Sequence, residues 1–195
     1  KKIQSHTDLE AAAFSTYEGE SIISCILGTG SNTCFFDGQT LTEHSPALGF
    51  ILGDEASGAY FGKLLLAGFL YTQMPEFLRL ELEKKYGLEK KEIFEKVYKA
   101  PHPNVFLASL MPFYYKHRSE PYLQKVLKKG FRKFLLIHVL CFKDYRKYPV
   151  HFVGSVSYFF KEELVAESDR LGIKIGKIVQ KPIHGLINYH KKYLS

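Results

Sequence analysis

The segment Gly28-Thr29-Gly30 is the part of the sequence whose residue types most directly suggest chemistry. It lies between two apolar, strand-like runs, and a glycine–hydroxyl–glycine turn can direct backbone N–H groups at phosphate oxygens without help from a lysine. It matches neither the phosphate loop that ends in Gly-Lys-Ser/Thr nor the dinucleotide-binding glycine pattern. Because a tight hairpin also favours two glycines, the segment alone leaves phosphate binding and a simple turn open.

Two aspartates are further candidates for chemistry. Asp54 follows an apolar stretch bracketed by Gly49 and Gly53, at the start of a predicted helix. It is therefore suited both to capping that helix and to lining a cleft. Asp8 also stands at a predicted helix start, where Thr7 is the stronger capping residue, and nothing local marks Asp8 as a base. For both aspartates the sequence leaves a capping role and a site role open.

The cysteines and histidines do not predict a metal site. The three cysteines match no zinc or iron–sulfur spacing, and the eight histidines form no metal-binding pair pattern. We expect the thiols to be free and buried in a reducing compartment. The cysteines are Cys25, Cys34 and Cys141.

The charge distribution bears on the kind of partner. The net charge is +7, and the basic excess lies in residues 125–133 and 143–147, where the aromatic residues fall on the apolar side of a predicted amphipathic helix. Nucleic-acid surfaces interleave basic and exposed aromatic residues instead. No apolar run approaches the roughly 20 residues that span a bilayer, and the start lacks the apolar core of a signal peptide. We expect no nucleic-acid or membrane partner and a cytoplasmic protein.

The order of predicted elements indicates an α/β fold with a mixed sheet and helices on its faces. Gly58 and Gly62, four residues apart, indicate close packing of the long helix that contains them on the sheet. A domain boundary is predicted at residues 17–20. Strands are predicted at 1–6, 21–27, 32–36, 41–43, 150–154 and 173–179. Helices are predicted at 7–17, 55–71 (capped by Asp54), 120–142, 157–171 and from Pro182, with a helical region broken at Pro75, Gly87 and 101–103.

Several segments, in this order, resemble one family. They are Thr7-Asp8-Leu9-Glu10-Ala11-Ala12, Cys25-Ile26-Leu27-Gly28-Thr29-Gly30-Ser31-Asn32, Gly49-Phe50-Ile51-Leu52-Gly53-Asp54-Glu55-Ala56-Ser57-Gly58, Val153-Gly154-Ser155-Val156 and Pro182-Ile183-His184-Gly185-Leu186. Together they resemble the N-acetylglucosamine kinase branch of the actin-like sugar kinases, which is grouped with the BadF/BadG/BcrA/BcrD-type ATPases. The resemblance spans nearly all 195 residues, and bacteroidete-type members are among the similar ones.

The resemblance implies a two-lobed fold of ribonuclease H-like halves, with ATP, Mg²⁺ and an amino sugar in the cleft between them. Residues 1–20 would be a remnant of the N-terminal lobe, and residues 21–195 the C-terminal lobe with a helical insertion at about 72–118. It implies that Asp8 is the catalytic base. It also implies a phosphate loop of Gly28, Thr29 and Gly30, sugar contacts from Ser31, Asn32, Gly49 and Asp54, and nucleotide-side contacts from Ala108, Gly154 and Ser155.

Three departures from the family pattern accompany the resemblance. Ala56 stands where the family usually has glycine after the Asp-Glu pair, and residues 47–49 read Ala-Leu-Gly where animal members have Gly-Trp-Gly. The D-x-G-x-T loop of the first lobe is absent, and we interpret the similar residues 37–40 as a hairpin turn. The chain is therefore expected to be the C-terminal portion of a longer protein and inactive alone.

The activity implied by the resemblance is phosphorylation of an amino sugar such as N-acetylglucosamine at the 6-hydroxyl by MgATP. Two alternatives stay open: an ATPase that activates a reductase or dehydratase, and a non-catalytic sugar-sensing protein. Activators of the first kind hold an iron–sulfur cluster through paired cysteines, which the three cysteines do not obviously supply. The expected partners are the sugar and ATP, and a homodimer is left open.

Overall fold

A five-stranded mixed sheet forms the centre of the computed structural model, which describes residues 7–193. The strand order is β3-β2-β1-β4-β5; β1 pairs antiparallel with β2 and parallel with β4, and β4 pairs parallel with β5. The α/β prediction is confirmed, whereas the strand predicted at residues 1–6 lies outside the described residues. The strands are β1 (Ile22–Leu27), β2 (Ser31–Phe36), β3 (Leu41–Thr42), β4 (Val150–Val153) and β5 (Ile175–Val179).

The helices flank this sheet and fill the connection between β3 and β4. Among residues 7–193, no helix has the length and apolar character needed to cross a membrane. The helices are α1 (Asp8–Thr16), α2 (Gly49–Leu52), α3 (Gly58–Leu70), α4 (Glu76–Tyr86), α5 (Lys90–Phe94), α6 (Pro103–Ala108), α7 (Met111–Lys116), α8 (Pro121–Phe134), α9 (Ser155–Phe159), α10 (Lys161–Arg170) and α11 (Ile183–Tyr193). Helices α5 and α8 continue as π-helical turns (Glu95–Lys99 and Leu135–Val139), and Tyr145–Lys147 is a 3₁₀ turn.

The chemistry of the helix ends accounts for most of the predicted boundaries. Thr7 and Glu10 form the predicted capping box, with Glu10 N donating to Thr7 Oγ1 at 3.2 Å and Thr7 N donating to Glu10 Oε2 at 2.7 Å. Helix α4 begins after Pro75 and ends at Gly87, whose φ of 57° suits a glycine C-cap. These predicted boundaries are confirmed.

Two predicted helices differ from the structure. Helix α3 starts at Gly58 rather than at residue 55, and Ser57 rather than Asp54 is its N-cap: the Ser57 hydroxyl accepts from Tyr60 N at 3.1 Å. The single helix predicted at 157–171 is instead α9 and α10, which meet at Phe160, where φ is −115° and ψ is 33°. Phe160 is buried at this junction.

Alternating residues of β1 serve two separate cores. Ile23 and Leu27 face the large cluster that contains α3 and α8, whereas Ile22 belongs to a smaller cluster with α1 and α11. Because successive side chains of a strand point to opposite faces, helices cover both faces of the sheet. In the smaller cluster Phe14 of α1 stacks on Tyr189 of α11 at 4.6 Å. The assignment of residues 1–20 to another lobe stays a prediction.

Glycines bring the helical insertion close to α3. A Cβ at Gly58 would lie 2.9 Å from Ala108 Cβ, and one at Gly62 would overlap the carbonyl oxygen of Leu107. The tightest contacts are with α6, whereas a Cβ at Gly58 would also lie 3.4 Å from Gly28 O, just after β1. The predicted close packing of this glycine pair is therefore directed mainly at the helical insertion rather than at the sheet. The insertion therefore sits at backbone distance from α3.

Candidate functional site

Two cavities lie near the carboxyl ends of the parallel strands β1 and β4. The first, here called the polar cavity, has a volume of about 600 Å³ and is lined by Thr7, Asp8, Leu9, Ile26, Thr29, Gly30, Ser31, Asn32, Glu43, Ala47 and Asp54. The second, here called the apolar cavity, has a volume of about 390 Å³ and is lined by Ala108, Ser109, Met111, Pro112, Tyr115, Ser155, Val156, Phe159 and Phe160. Ligand sites in open α/β sheets commonly lie at this edge.

Asp8 lines the polar cavity as the first residue of α1. Thr7 caps that helix, so the capping alternative left open for Asp8 is not needed. The Asp8 side chain is exposed, as is expected of a group that must reach a ligand. The docking of α1 on β1 and α11 carries Asp8 to the same cavity as the residues after β1.

Asp54 lies against the glycine segment instead of capping a helix. Its Oδ1 accepts from Ser31 N at 3.3 Å, and its φ of 55° is in the left-handed region. A Cβ at Gly30 would be 3.0 Å from Asp54 Oδ2, so the absence of a side chain at Gly30 permits this approach. Burial raises the pKa of Asp54, against the hydrogen bond from Ser31 and the charge of Lys63.

The Gly28–Gly30 turn is fastened to the start of α3. Gly28 O accepts from Gly58 N at 2.8 Å, Thr29 O accepts from Ala59 N at 3.1 Å, and Gly28 N donates to Gly30 O at 3.0 Å. The amides of Thr29 and Gly30 have no acceptor among residues 7–193. The space on the side-chain side of Gly28 is also open, since a Cβ there would have no neighbour within 4 Å. These features fit a phosphate cradle, in which unpaired amides face an anion.

Asn32 and Glu43 meet on the β2–β3 side of the polar cavity. Asn32 Oδ1 accepts from Thr33 N at 2.7 Å, and Asn32 Nδ2 lies 3.5 Å from Glu43 Oε2. Glu43 was not predicted as a site residue. The hairpin pairs Phe35 with Thr42, which brings position 43 diagonally beside position 32. The register of the predicted hairpin was therefore a signal that could have found it.

The apolar cavity collects two of the predicted nucleotide-side residues. Ala108 comes from the end of α6 and Ser155 from the start of α9. Gly154, just before Ser155, has a φ of 131°, and a Cβ there would overlap the carbonyl oxygen of Leu27 and lie 3.1 Å from Gly28 N. Glycine at this position thus lets the end of β4 touch the Gly28–Gly30 turn between the two cavities.

The predicted site residues are largely, but not all, brought together. The polar cavity contains Asp8, Thr29, Gly30, Ser31, Asn32 and Asp54, and the apolar cavity contains Ala108 and Ser155. Gly28 and Gly154 contribute backbone contacts between the cavities. Gly49 lines neither of them; it begins α2 with a φ of 69°, two residues beyond Ala47.

The described residues do not assemble a metal site of their own. Among residues 7–193 there is no group of three or more His, Cys, Asp or Glu side chains arranged to hold a metal ion.

Comparison with known proteins connects this geometry to a kinase fold. No family model and no curated protein matches the chain. A solved structure from Porphyromonas gingivalis, described as a "Putative N-acetylglucosamine Kinase", is 39% identical with a TM-score of 0.91 and covers 95% of this chain. A structure from Chromobacterium violaceum with the same description is 18% identical, with a TM-score of 0.71 over 92% of this chain, and supports the fold alone.

The chain has the α/β fold of the actin-like sugar kinases. Within that class its fold is N-acetylglucosamine kinase-like, as the sequence segments predicted. The chain spans 65% of the Porphyromonas protein and 62% of the Chromobacterium protein, which is less than two thirds of either.

Proposed function

We propose that the protein containing this chain is an ATP-dependent kinase that phosphorylates an amino sugar such as N-acetylglucosamine at its 6-hydroxyl. One observation carries the proposal: Asp8, Asn32 and Asp54 line a single cavity beside the Gly28–Gly30 turn. The N-acetylglucosamine kinase-like fold supports the choice of substrate. Because the chain spans 65% of its Porphyromonas relative, residues 1–195 alone are expected to be inactive.

The polar cavity is suited to a polyhydroxylated ligand. Asp54 offers a charged acceptor to sugar hydroxyls, and the Asn32 amide supplies a donor, since its Oδ1 is already engaged with Thr33 N. Hydrogen bonds to charged groups are stronger than those between neutral groups. We assign Ser31, Asn32 and Asp54 to sugar binding, with Gly49 as a more distant support of the loop that contains Ala47.

The residues beside this cavity suit a nucleoside triphosphate. When bound, MgATP would supply the γ-phosphoryl group, and its Mg²⁺ would offset phosphate charge. The unpaired amides of Thr29 and Gly30 would donate to phosphate oxygens, and the space at Gly28 admits a close approach. The apolar cavity, with Ala108 and Ser155, would take the base, and Gly154 joins it to the phosphate loop.

Asp8 is the proposed general base. Its carboxylate lines the same cavity as the sugar-binding candidates and is free of a capping role. It would accept the proton of the attacking sugar hydroxyl as that oxygen bonds to the transferred phosphoryl group. Closure of the cleft would exclude water and limit ATP hydrolysis.

Asp8→Asn in the intact natural protein tests the proposal. Asparagine keeps a hydrogen-bonding group but cannot take the proton, so kcat should fall by at least about two orders of magnitude. The melting temperature should hold because Thr7 is the cap, and sugar binding should stay within about tenfold because one hydrogen bond is retained. A coupled kinase assay and calorimetry measure these quantities. Asp169→Asn, an exposed aspartate of α10, is the matched control. Near-normal kcat in Asp8→Asn would contradict the mechanism.

The cysteines argue against the iron–sulfur activator alternative. Cys25 and Cys34 are buried, and burial raises the pKa of both thiols, that of Cys34 to about 12. Cluster ligation requires thiolates, which such surroundings disfavour. The kinase proposal is therefore preferred to the activator, and a colourless purified protein is its expected appearance.

A further inference from the structure

The turn before α3 contains two strained residues. Asp54 has a φ of 55° and Ala56 a φ of 57°, so both L-residues on either side of Glu55 adopt the left-handed conformation. This conformation costs about 1–2 kcal/mol for most L-residues. It persists where the surrounding structure holds it. Something must therefore fix the turn from outside.

Glu55 supplies the connection to that surrounding structure. Its side chain is 9% exposed, with Oε2 3.1 Å from His138 Nε2 and Oε1 3.4 Å from Lys133 Nζ. Burial acts to raise the pKa of Glu55, but hydrogen bonds from His138, from its own backbone and from Lys133 outweigh it and hold the pKa below its ordinary value. Glu55 is thus a charged, two-point anchor between two strained residues.

A local change of helix type brings His138 to Glu55. Helix α8 becomes π-helical over Leu135–Val139, and His138 in that turn is 4% exposed and stacks on Phe134 at 4.9 Å. Its Nδ1 is buried without a partner among residues 7–193, and its Nε2 donates to Glu55 Oε2, because a carboxylate can only accept. Single π-turns within α-helices frequently occur at functional sites.

The turn that contains Glu55 includes Asp54 and contacts the Gly28–Gly30 turn of the polar cavity. Asp54 receives the amide hydrogen bond of Ser31, and the next residues of the chain hold Gly28 O and Thr29 O through the amides of Gly58 and Ala59. A shift of the turn would therefore displace the sugar-side aspartate and the glycine segment together.

We propose that Glu55, His138 and Lys133 form a positioning group that holds Asp54 and the Gly28–Gly30 turn in their binding geometry. Its consequences for catalysis rest on the proposed kinase function. Its structural consequence, the immobilisation of residues 27–32 and 53–59, is independent of that function. None of the three side chains lines either cavity, so the group acts through the backbone of the turn.

Paired variants of the intact natural protein test this group. His138→Phe keeps the stack on Phe134 but removes the donor, whereas His138→Gln keeps an N–H donor at similar reach. Glu167→Gln is the matched control. Glu167 is a buried carboxylate of α10 that pairs with Arg132 and Arg170 and lines neither cavity. Lys133→Met removes the second contact at a half-exposed position and serves if His138→Phe does not fold.

Hydrogen exchange and steady-state kinetics read the outcome. His138→Phe should accelerate exchange of residues 27–32 and 53–59 and raise the sugar KM by about fivefold or more, because a hydrogen bond to a charged group typically contributes more than that factor. Lys133→Met should change both in the same direction by less. His138→Gln and Glu167→Gln should leave both near wild type, whatever their effect on the melting temperature.

Each other result contradicts one claim in particular. If His138→Phe loses thermal stability but leaves local exchange and sugar KM as in Glu167→Gln, the group is merely structural. If residues 27–32 and 53–59 exchange as fast in His138→Gln as in His138→Phe, the donor role of His138 is overturned. If the wild type phosphorylates no hexosamine, the kinase function fails, and the exchange comparison alone still decides whether the group holds the turn.

Discussion

Replacing Asp54 by asparagine and by alanine separates the three things that this residue does. It adopts a left-handed φ of 55°, accepts the Ser31 amide at Oδ1, and holds a negative charge in the polar cavity. Asparagine tolerates the left-handed region and retains the acceptor, so it loses the charge alone. Alanine loses all three. The two variants therefore share an effect on sugar binding but differ in stability.

The expected magnitudes follow from these contacts. In Asp54→Ala the amide of Ser31, a residue only 6% exposed, loses its partner. That loss costs about 1–3 kcal/mol, and the left-handed alanine adds about 1–2 kcal/mol, which gives roughly 2–5 kcal/mol of lost stability. Asp54→Asn should lose little. In both variants a sugar hydroxyl loses its charged acceptor, worth about 1–3 kcal/mol or roughly 5- to 150-fold in sugar KM.

The charge of Asp54 also gives the asparagine variant a pH signature. Burial raises the pKa of Asp54 above its ordinary value of 3.8, so the folded state favours the proton. The wild type therefore loses stability as pH rises from about 3.8 through the raised pKa, and the loss is complete above it. The stability of Asp54→Asn relative to wild type should rise over the same window.

Thermal unfolding followed by circular dichroism at pH 4 and pH 7, with sugar and ATP titrations in a coupled assay, measures all of these effects. The ATP KM should stay near wild type in both variants. Equal destabilisation by asparagine and alanine would refute the assignment of the Ser31 hydrogen bond and the left-handed conformation. A lost ATP affinity with unchanged sugar affinity would move Asp54 to the nucleotide side.

Three further predictions use other parts of the structure. Gly154→Ala should destabilise the protein by at least about 1–3 kcal/mol, the cost of a residue forced into such a backbone region. It should also raise the ATP KM by a larger factor than the sugar KM. Equal fold-changes in the two KM values would contradict the contact with Leu27. GTP and ITP should replace ATP within about 100-fold in kcat/KM, because an almost entirely apolar pocket discriminates weakly; a preference above about 1,000-fold would require base-specific hydrogen bonds. Burial, with the charge of Lys177, lowers the pKa of His151 from 6.5 to about 4. As pH falls, the unfolded chain is therefore protonated at this residue before the folded protein, and stability decreases from about pH 6.5 to about pH 4. His151→Gln should flatten that fall in urea titrations.

Much of the fold followed from local chemistry in the sequence. The apolar run of β1, the Asp37-Gly38 turn and the capping box at Thr7 each specify their structure within a few residues. The start of α3 did not follow, because aspartate and serine cap helices about equally well. The choice of Ser57 is made by tertiary structure, since Asp54 is engaged by Ser31, 23 residues earlier.

The candidate site was predictable where its residues are close in the chain or match the family segments. The convergence of Asp8 and Asp54 depends on the docking of α1, which no local pattern encodes. Glu55 was predicted only as the first residue of the helix at 55–71. Its buried partner His138 could not be found, because a π-turn leaves the sequence looking like a continuous helix.

The glycines of α3 set the distance between α3 and α6, and with it the width of the apolar cavity. One wall of that cavity, which includes Ala108, belongs to the insertion, and the other, which includes Ser155, follows β4. Gly58 and Gly62 hold the first wall at backbone distance from α3. A larger residue at either glycine would move one wall outward and leave every lining side chain unchanged. Substitution at this helix interface can thus widen the cavity for a bulkier ligand from behind its wall.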